Sequence, residues 1–166
     1  VGDMFVIASA VAFRSLMSAN FIYTNSNVLF RRTAFLAAGG FDSRWRMNSD
    51  ADLEFRLLSR APIAVVNEVL CGYRYRGDSL YHARQEEARL DGLLIRLAWG
   101  SRRWTWAATE AQRVYWALRA EVPVQWQKGR RQRAWQILTA LLRSRAFRQH
   151  LLSKVTGGLT RTREAD

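Results

Sequence analysis

Apolar positions along the chain change their spacing once, near Tyr81. Before that point they come in short runs punctuated by Gly, Asn and Pro; after it they recur at three- and four-residue intervals, the signature of helical faces. Residues 4–20, apolar and small with Arg14 as their one charge, predict a helix. Residues 28–31 read as a short strand. Thr33 is placed to cap a helix over 34–38, Gly39 and Gly40 to stop it, and Phe41 to tuck back against its end. A loop rich in Arg and Trp, 42–48, leads into a second helix that runs to about Arg60 and is ended by Ala61-Pro62. Residues 63–66 and 69–75 are β-branched or aromatic runs that predict strands, and Gly77-Asp78-Ser79 a turn. Helices are expected over 82–99, 104–120 and 130–152, broken near Gly100-Ser101 and at Pro123. Leu90, Leu93, Leu94 and Leu97 form one apolar stripe, and Trp135, Leu138, Leu141 and Leu142 another. The apolar-poor segment 156–166 is expected to fray.

The main polar interruption of this pattern is Asn48-Ser-Asp-Ala-Asp-Leu-Glu-Phe-Arg56, with three carboxylates within five residues where loop turns to helix. Two readings compete for it. Ser49 with Asp52 three residues on fits a reciprocal cap, and acids in a first turn are stabilised by the macrodipole. The same place also suits a carboxylate doing acid–base chemistry. Asn20, Asn25 and Asn27, set among apolar neighbours, either line a cleft or close a hydrogen-bonded turn.

Composition narrows the field. With 166 residues, 49% of them hydrophobic, there is enough material for one packed unit with an appendage. Cys71 stands alone, which excludes an internal disulfide, points to a reducing context, and reads as core rather than nucleophile; no Cys/His spacing resembles a zinc site. His82 and His150 read as surface residues, and Ser79 has no His/Asp constellation beside it. The run 4–13 is about half a bilayer span and lacks the pattern of a signal peptide. The first residue is Val1 rather than Met, so the chain reads as a piece of something longer.

The net charge of +12 is unevenly distributed: residues 1–80 carry 9 Arg against 7 acids, whereas 81–166 carry 17 Arg and Lys against 7. Basicity therefore bears on the partners of the second half and not on the acidic stretch.

Four blocks in order, Asn25-Ser-Asn-Val-Leu-Phe-Arg-Arg32, Ala38-Gly-Gly-Phe-Asp42, Ser49-Asp-Ala-Asp-Leu-Glu-Phe-Arg56 and Gly72-Tyr-Arg-Tyr-Arg-Gly-Asp-Ser79, resemble the carboxy-terminal half of family 2 glycosyltransferases. The resemblance covers roughly residues 20–80. It implies an α/β chain: a partial GT-A fold with a small mixed sheet over 1–80, the acceptor-side half of the domain, followed by a mainly helical, basic extension over 81–166. It further implies inverting transfer of a sugar from a nucleotide-sugar donor to a carbohydrate or lipid-linked acceptor, as in bacterial-type polysaccharide or glycolipid synthesis. The expected location is cytoplasmic, with peripheral contact at the inner membrane face.

On this resemblance Asp50 is the catalytic base; Asp52, Gly40, Phe41 and Asn25 lie on the acceptor side; Arg56 pairs with a carboxylate to fix the helix; and Arg74 and Arg76 face the diphosphate. Two residues depart from the family pattern: Ser49 where the family has Glu, and Arg76 where it often has His. Arg cannot ligate a metal, but it can neutralise a diphosphate leaving group. The family's Asp-x-Asp metal motif has no counterpart after a hydrophobic strand before residue 48, so no metal ligand is expected here and a Mg or Mn cofactor would have to come through an upstream half. The alternative reading is a noncatalytic helical module whose Arg- and Trp-rich tail contacts an anionic membrane surface or, less in keeping with the rest, nucleic acid.

Overall fold

The computed structural model describes residues 3–100, 108–144 and 148, with the side chains of 108–112 left aside. It is mainly helical, with one small sheet, and divides into two compact units, Val1–Gly92 and Leu93–Asp166. No described helix is long and apolar enough to cross a membrane.

In the first unit, β1 (Met4–Ile7) pairs antiparallel with β2 (Ile63–Val66), Met4 opposite Val66 and Ile7 opposite Ile63. The expected mixed sheet is therefore a two-stranded antiparallel one. The helix expected over 4–20 is divided: Ala8 is extended (ψ 142°), so Met4–Ile7 is free to pair with β2, and α1 (Ser9–Ser18) begins only after it. α1 buries Ala12, Phe13, Leu16 and Met17 and packs on α3 (Ser49–Leu58), where the Phe13 and Phe55 rings meet edge-on at 5.1 Å. Burying each such large side chain contributes about 1.5–3 kcal/mol. Ser9 Oγ also donates to the Leu58 carbonyl, tying the start of α1 to the end of α3.

Residues 28–31 and 69–75 are not strands. Their β-branched and aromatic residues have no neighbouring strand among the described residues, and Leu29 and Val69 are 100% and 96% exposed. Propensity without a partner does not make a ladder.

α2 (Arg32–Ala37) starts one residue before the expected cap, so Thr33 lies inside it. Its end follows the sequence reading closely. Gly39 (φ +85°) and Gly40 (φ +65°) take left-handed conformations, Gly40 N–H donates to Phe35 O at 3.1 Å and Gly39 N–H to Leu36 O at 2.9 Å, and Phe41 packs edge-on against Phe35 at 5.4 Å. This is the Schellman closure with its apolar contact. The first unit ends with α4 (Leu80–Ala83) and the portion of α5 (Gln85–Gly100) up to Gly92.

In the second unit, α6 (Ala108–Gln127) and α7 (Arg131–Arg143) pack together and are joined by a turn at Gly129 (φ +72°). Pro123 does not break α6, which continues through it to Gln127: the ring removes one intrahelical donor, and burial of Leu118, Ile137 and Leu141 holds the pair. The stripe expected on α7 is rotated, since Ala134, Ile137 and Leu141 are inward while Trp135 and Leu142 are exposed.

Candidate functional site

The loop before α3 is anchored from a distant part of the first unit. Met47 N–H donates to Asp91 Oδ2 at 3.1 Å, and the Asn48 side-chain amide donates to the Ala88 carbonyl. Asn48 is thereby held at φ 58°, a left-handed conformation that Asn tolerates better than most residues. It occupies the N-cap position without a side-chain capping bond, so the Ser49–Asp52 capping box does not form.

The acids that a capping box would have engaged turn to other partners. Asp50, half-buried, accepts from Ala51 N–H at 2.9 Å on Oδ1 and from Asn25 Nδ2 at 3.2 Å on Oδ2. Asn25 opens a single 3-10 turn, Asn25–Asn27, capped by Thr24 Oγ1, which accepts from Ser26 N–H at 3.2 Å. Two residues from separate sequence blocks, Asn25 and Asp50, thus meet at the start of α3.

Asp52 is buried and faces Arg56 one turn on. Arg56 Nε donates to Asp52 Oδ2 at 2.9 Å, and Nη2 stands 2.9 Å from the same oxygen. The other arm of the guanidinium, Nη1, donates to the Ala38 carbonyl, and Arg60 Nη1 donates to Ala37 O at 2.9 Å. One cation on α3, Arg56, and one just past its end, Arg60, therefore close the carbonyl end of α2, where the helix dipole favours positive charge. The Gly39-Gly40-Phe41 turn is pinned beside the acidic helix, and a Cβ on Gly39 would lie 3.9 Å from Arg56 Nη1. Asp52 acts on that turn through Arg56.

Glu54 is the residue that reading for motifs passed over. It is 3% exposed, its Oε2 is buried with no hydrogen-bond partner, and its pKa is pushed up to about 8, first by burial and then by the negative charge of Asp50. The signal was present as Asp50-x-x-x-Glu54, two acids one helical turn apart, with Leu53, Phe55 and Leu58 marking the buried face.

The remaining candidates stand elsewhere. Arg76 makes a two-point pair with Asp78, Nε to Oδ1 at 3.1 Å and Nη2 to Oδ2 at 3.0 Å, on an exposed loop, and this bond holds the Asp78 carboxyl below its ordinary range. Arg74 is exposed on the same loop, and among the described residues no hydrogen bond or ion pair joins either arginine to Asp50. Cys71 is half-buried rather than core. Ser79 caps α4, its Oγ accepting from His82 N–H at 3.4 Å. His82 is half-buried with Tyr75 edge-on at 4.9 Å, and His150 lies outside the described residues. Among the described residues no group of three or more His, Cys, Asp or Glu side chains could hold a metal ion.

No protein-family model, no curated protein and no solved structure matches this chain.

Proposed function

We propose that the Val1–Gly92 unit is the acceptor-side half of an inverting GT-A glycosyltransferase and that Asp50 is its general base. The observation that carries this reading is the Asn25–Asp50 hydrogen bond at the start of α3, a helix whose last turn carries the Arg56 that holds the Gly39-Gly40-Phe41 turn. Three of the four sequence blocks that resemble the family meet along α3, one at its start and one at its last turn. The exposed apolar residues of the two-stranded sheet, Met4, Phe5 and Val6, are in keeping with a sheet that continues in a larger domain.

In this scheme an acceptor hydroxyl attacks the anomeric carbon opposite the nucleoside diphosphate. The new carbon–oxygen bond forms as the bond to the diphosphate breaks, and the hydroxyl proton passes to the Asp50 carboxylate. Asn25 orients that carboxylate through Oδ2, and Ala51 N–H holds its other oxygen. Glu54, with its pKa near 8, is neutral at pH 7 and adds no second negative charge beside the base. Arg74 and Arg76 are the cations that would meet the departing diphosphate. The described residues make no metal site; a Mg or Mn ion at the diphosphate would be held by an upstream half, and no step here is routed through one.

The test is release of nucleoside diphosphate by the full-length protein from a panel of UDP- and GDP-sugars, with and without glycan or lipid-linked acceptors. Acceptor-dependent release supports the reading. Absence of release across the panel, from protein that melts cooperatively, counts against it.

A further inference from the structure

Helix α7 carries two apolar stripes. Ala134, Ile137 and Leu141 are buried; Trp135, Leu138 and Leu142, spaced three and four residues apart, form the second, with Trp135 56% and Leu142 52% exposed. Across from it on α6, Val122, Pro123 and Trp126 complete an open apolar groove of about 510 Å³. Residues 113–144 hold seven Lys and Arg against Glu121 alone, a net charge of +6. Lys128, Arg130 and Arg131 are exposed at the turn closing the groove, the Arg131 guanidinium lies 5.6 Å from the Trp126 ring centre, and Arg119 lies 5.1 Å from that of the exposed Trp116.

We infer that this face docks on a bilayer containing anionic lipid, with Trp126, Trp135 and Leu142 in the headgroup–acyl boundary and Lys128, Arg130 and Arg131 at lipid phosphates. Indole rings favour that boundary because one edge is polar and the body apolar. Cations beside them add attraction to an anionic leaflet. A second copy is a poor occupant, because an isologous contact would set one cationic rim against another. A single-stranded nucleic acid wants a run of open ring faces on which to stack, whereas the two indoles of this groove, Trp126 and Trp135, are set among Val122, Pro123 and Leu138, and Arg131 lies over the Trp126 ring. The inference belongs to the second unit and stands apart from the transferase reading.

The experiment is co-sedimentation of the full chain with phosphatidylcholine vesicles and with vesicles containing about a third phosphatidylglycerol. Binding should favour the anionic vesicles and weaken as salt is raised. Trp126→Ala with Trp135→Ala, both on exposed side chains, should lower partitioning on the order of tenfold with unchanged circular dichroism. Lys128→Glu, Arg130→Glu and Arg131→Glu together should lower it at least as far, on anionic vesicles only. Equal binding to both vesicle types, binding to neither, or binding indifferent to the Trp pair would overturn the inference. So would a dimer in analytical sedimentation that the Trp pair abolishes while vesicle binding persists.

Discussion

Asp50 and Glu54 stand one turn apart on α3 in opposite surroundings: Asp50 is half-buried with Ala51 N–H and Asn25 Nδ2 on its oxygens, while Glu54 is buried with Oε2 unpartnered. The carboxyl that is hydrogen-bonded suits a base. The one sealed off from water is kept neutral by burial and by its neighbour's charge.

Stability should therefore fall with rising pH. Glu54 has a folded-state pKa of about 8 against an ordinary 4.5, so between these values the folded state holds more protons than the unfolded. Its contribution favours folding most below about pH 4.5, declines as pH rises to about 8, and is flat above. Glu54→Gln keeps the shape and removes the titration. Urea midpoints measured across this range should show the variant more stable at pH 8, by on the order of a few kcal/mol, and little changed at pH 4. Parallel pH profiles for variant and parent would show that Glu54 is not held neutral.

Asp52 and Arg56 make a different kind of prediction. Removing one member of a buried pair strands the other, at a cost of about 3–5 kcal/mol, whereas replacing both leaves no stranded charge. Arg56→Met should thus destabilise more than Arg56→Met combined with Asp52→Leu, as read by denaturant melts. The double variant still loses the bond from Arg56 to Ala38 O and should not recover fully. Additive losses would mean the pair is not coupled.

Gly40→Ala tests the turn itself. An alanine there would adopt φ +65° and set its Cβ 3.3 Å from the Phe35 ring, so a loss of about 1 kcal/mol or more is expected. Ala at Gly77, where no neighbour lies within 4 Å of the built Cβ, should change little and serves as the control. Equal melting temperatures for the two variants would contradict the Schellman closure.

Local chemistry explains what could be read from sequence. The Gly39-Gly40 stop, the helix start at Ser49 and the strand Ile63–Val66 each announce themselves through turn glycines, clustered acids or β-branching. What failed depended on partners distant in sequence. The strand at Met4–Ile7 exists because Ile63–Val66 lies beside it, and residues 69–75, which carry Val69, Tyr73 and Tyr75, have no such neighbour among the described residues. Asn48 displaced Ser49 as cap residue because its amide reaches Ala88, forty residues on. Within the candidate site, the hydrogen bond from Asn25 to Asp50 joins residues twenty-five apart in sequence, whereas Glu54 was visible only as a spacing whose meaning depends on which face of α3 is buried.

The most direct test of the central claim compares Asp50→Asn with the parent in the nucleoside diphosphate release assay on the full-length protein. Asn keeps the size of Asp and an oxygen that can accept from Ala51 N–H, its amide donating to Asn25 Oδ1 once that side chain turns over, but it cannot take the acceptor's proton. Turnover should be lower by a factor of about 10² to 10⁴ with an unchanged melting temperature, and Asp52→Asn should lose less. Normal turnover of Asp50→Asn would contradict the claim, and would leave the acids of α3 as features of a helix start and nothing more.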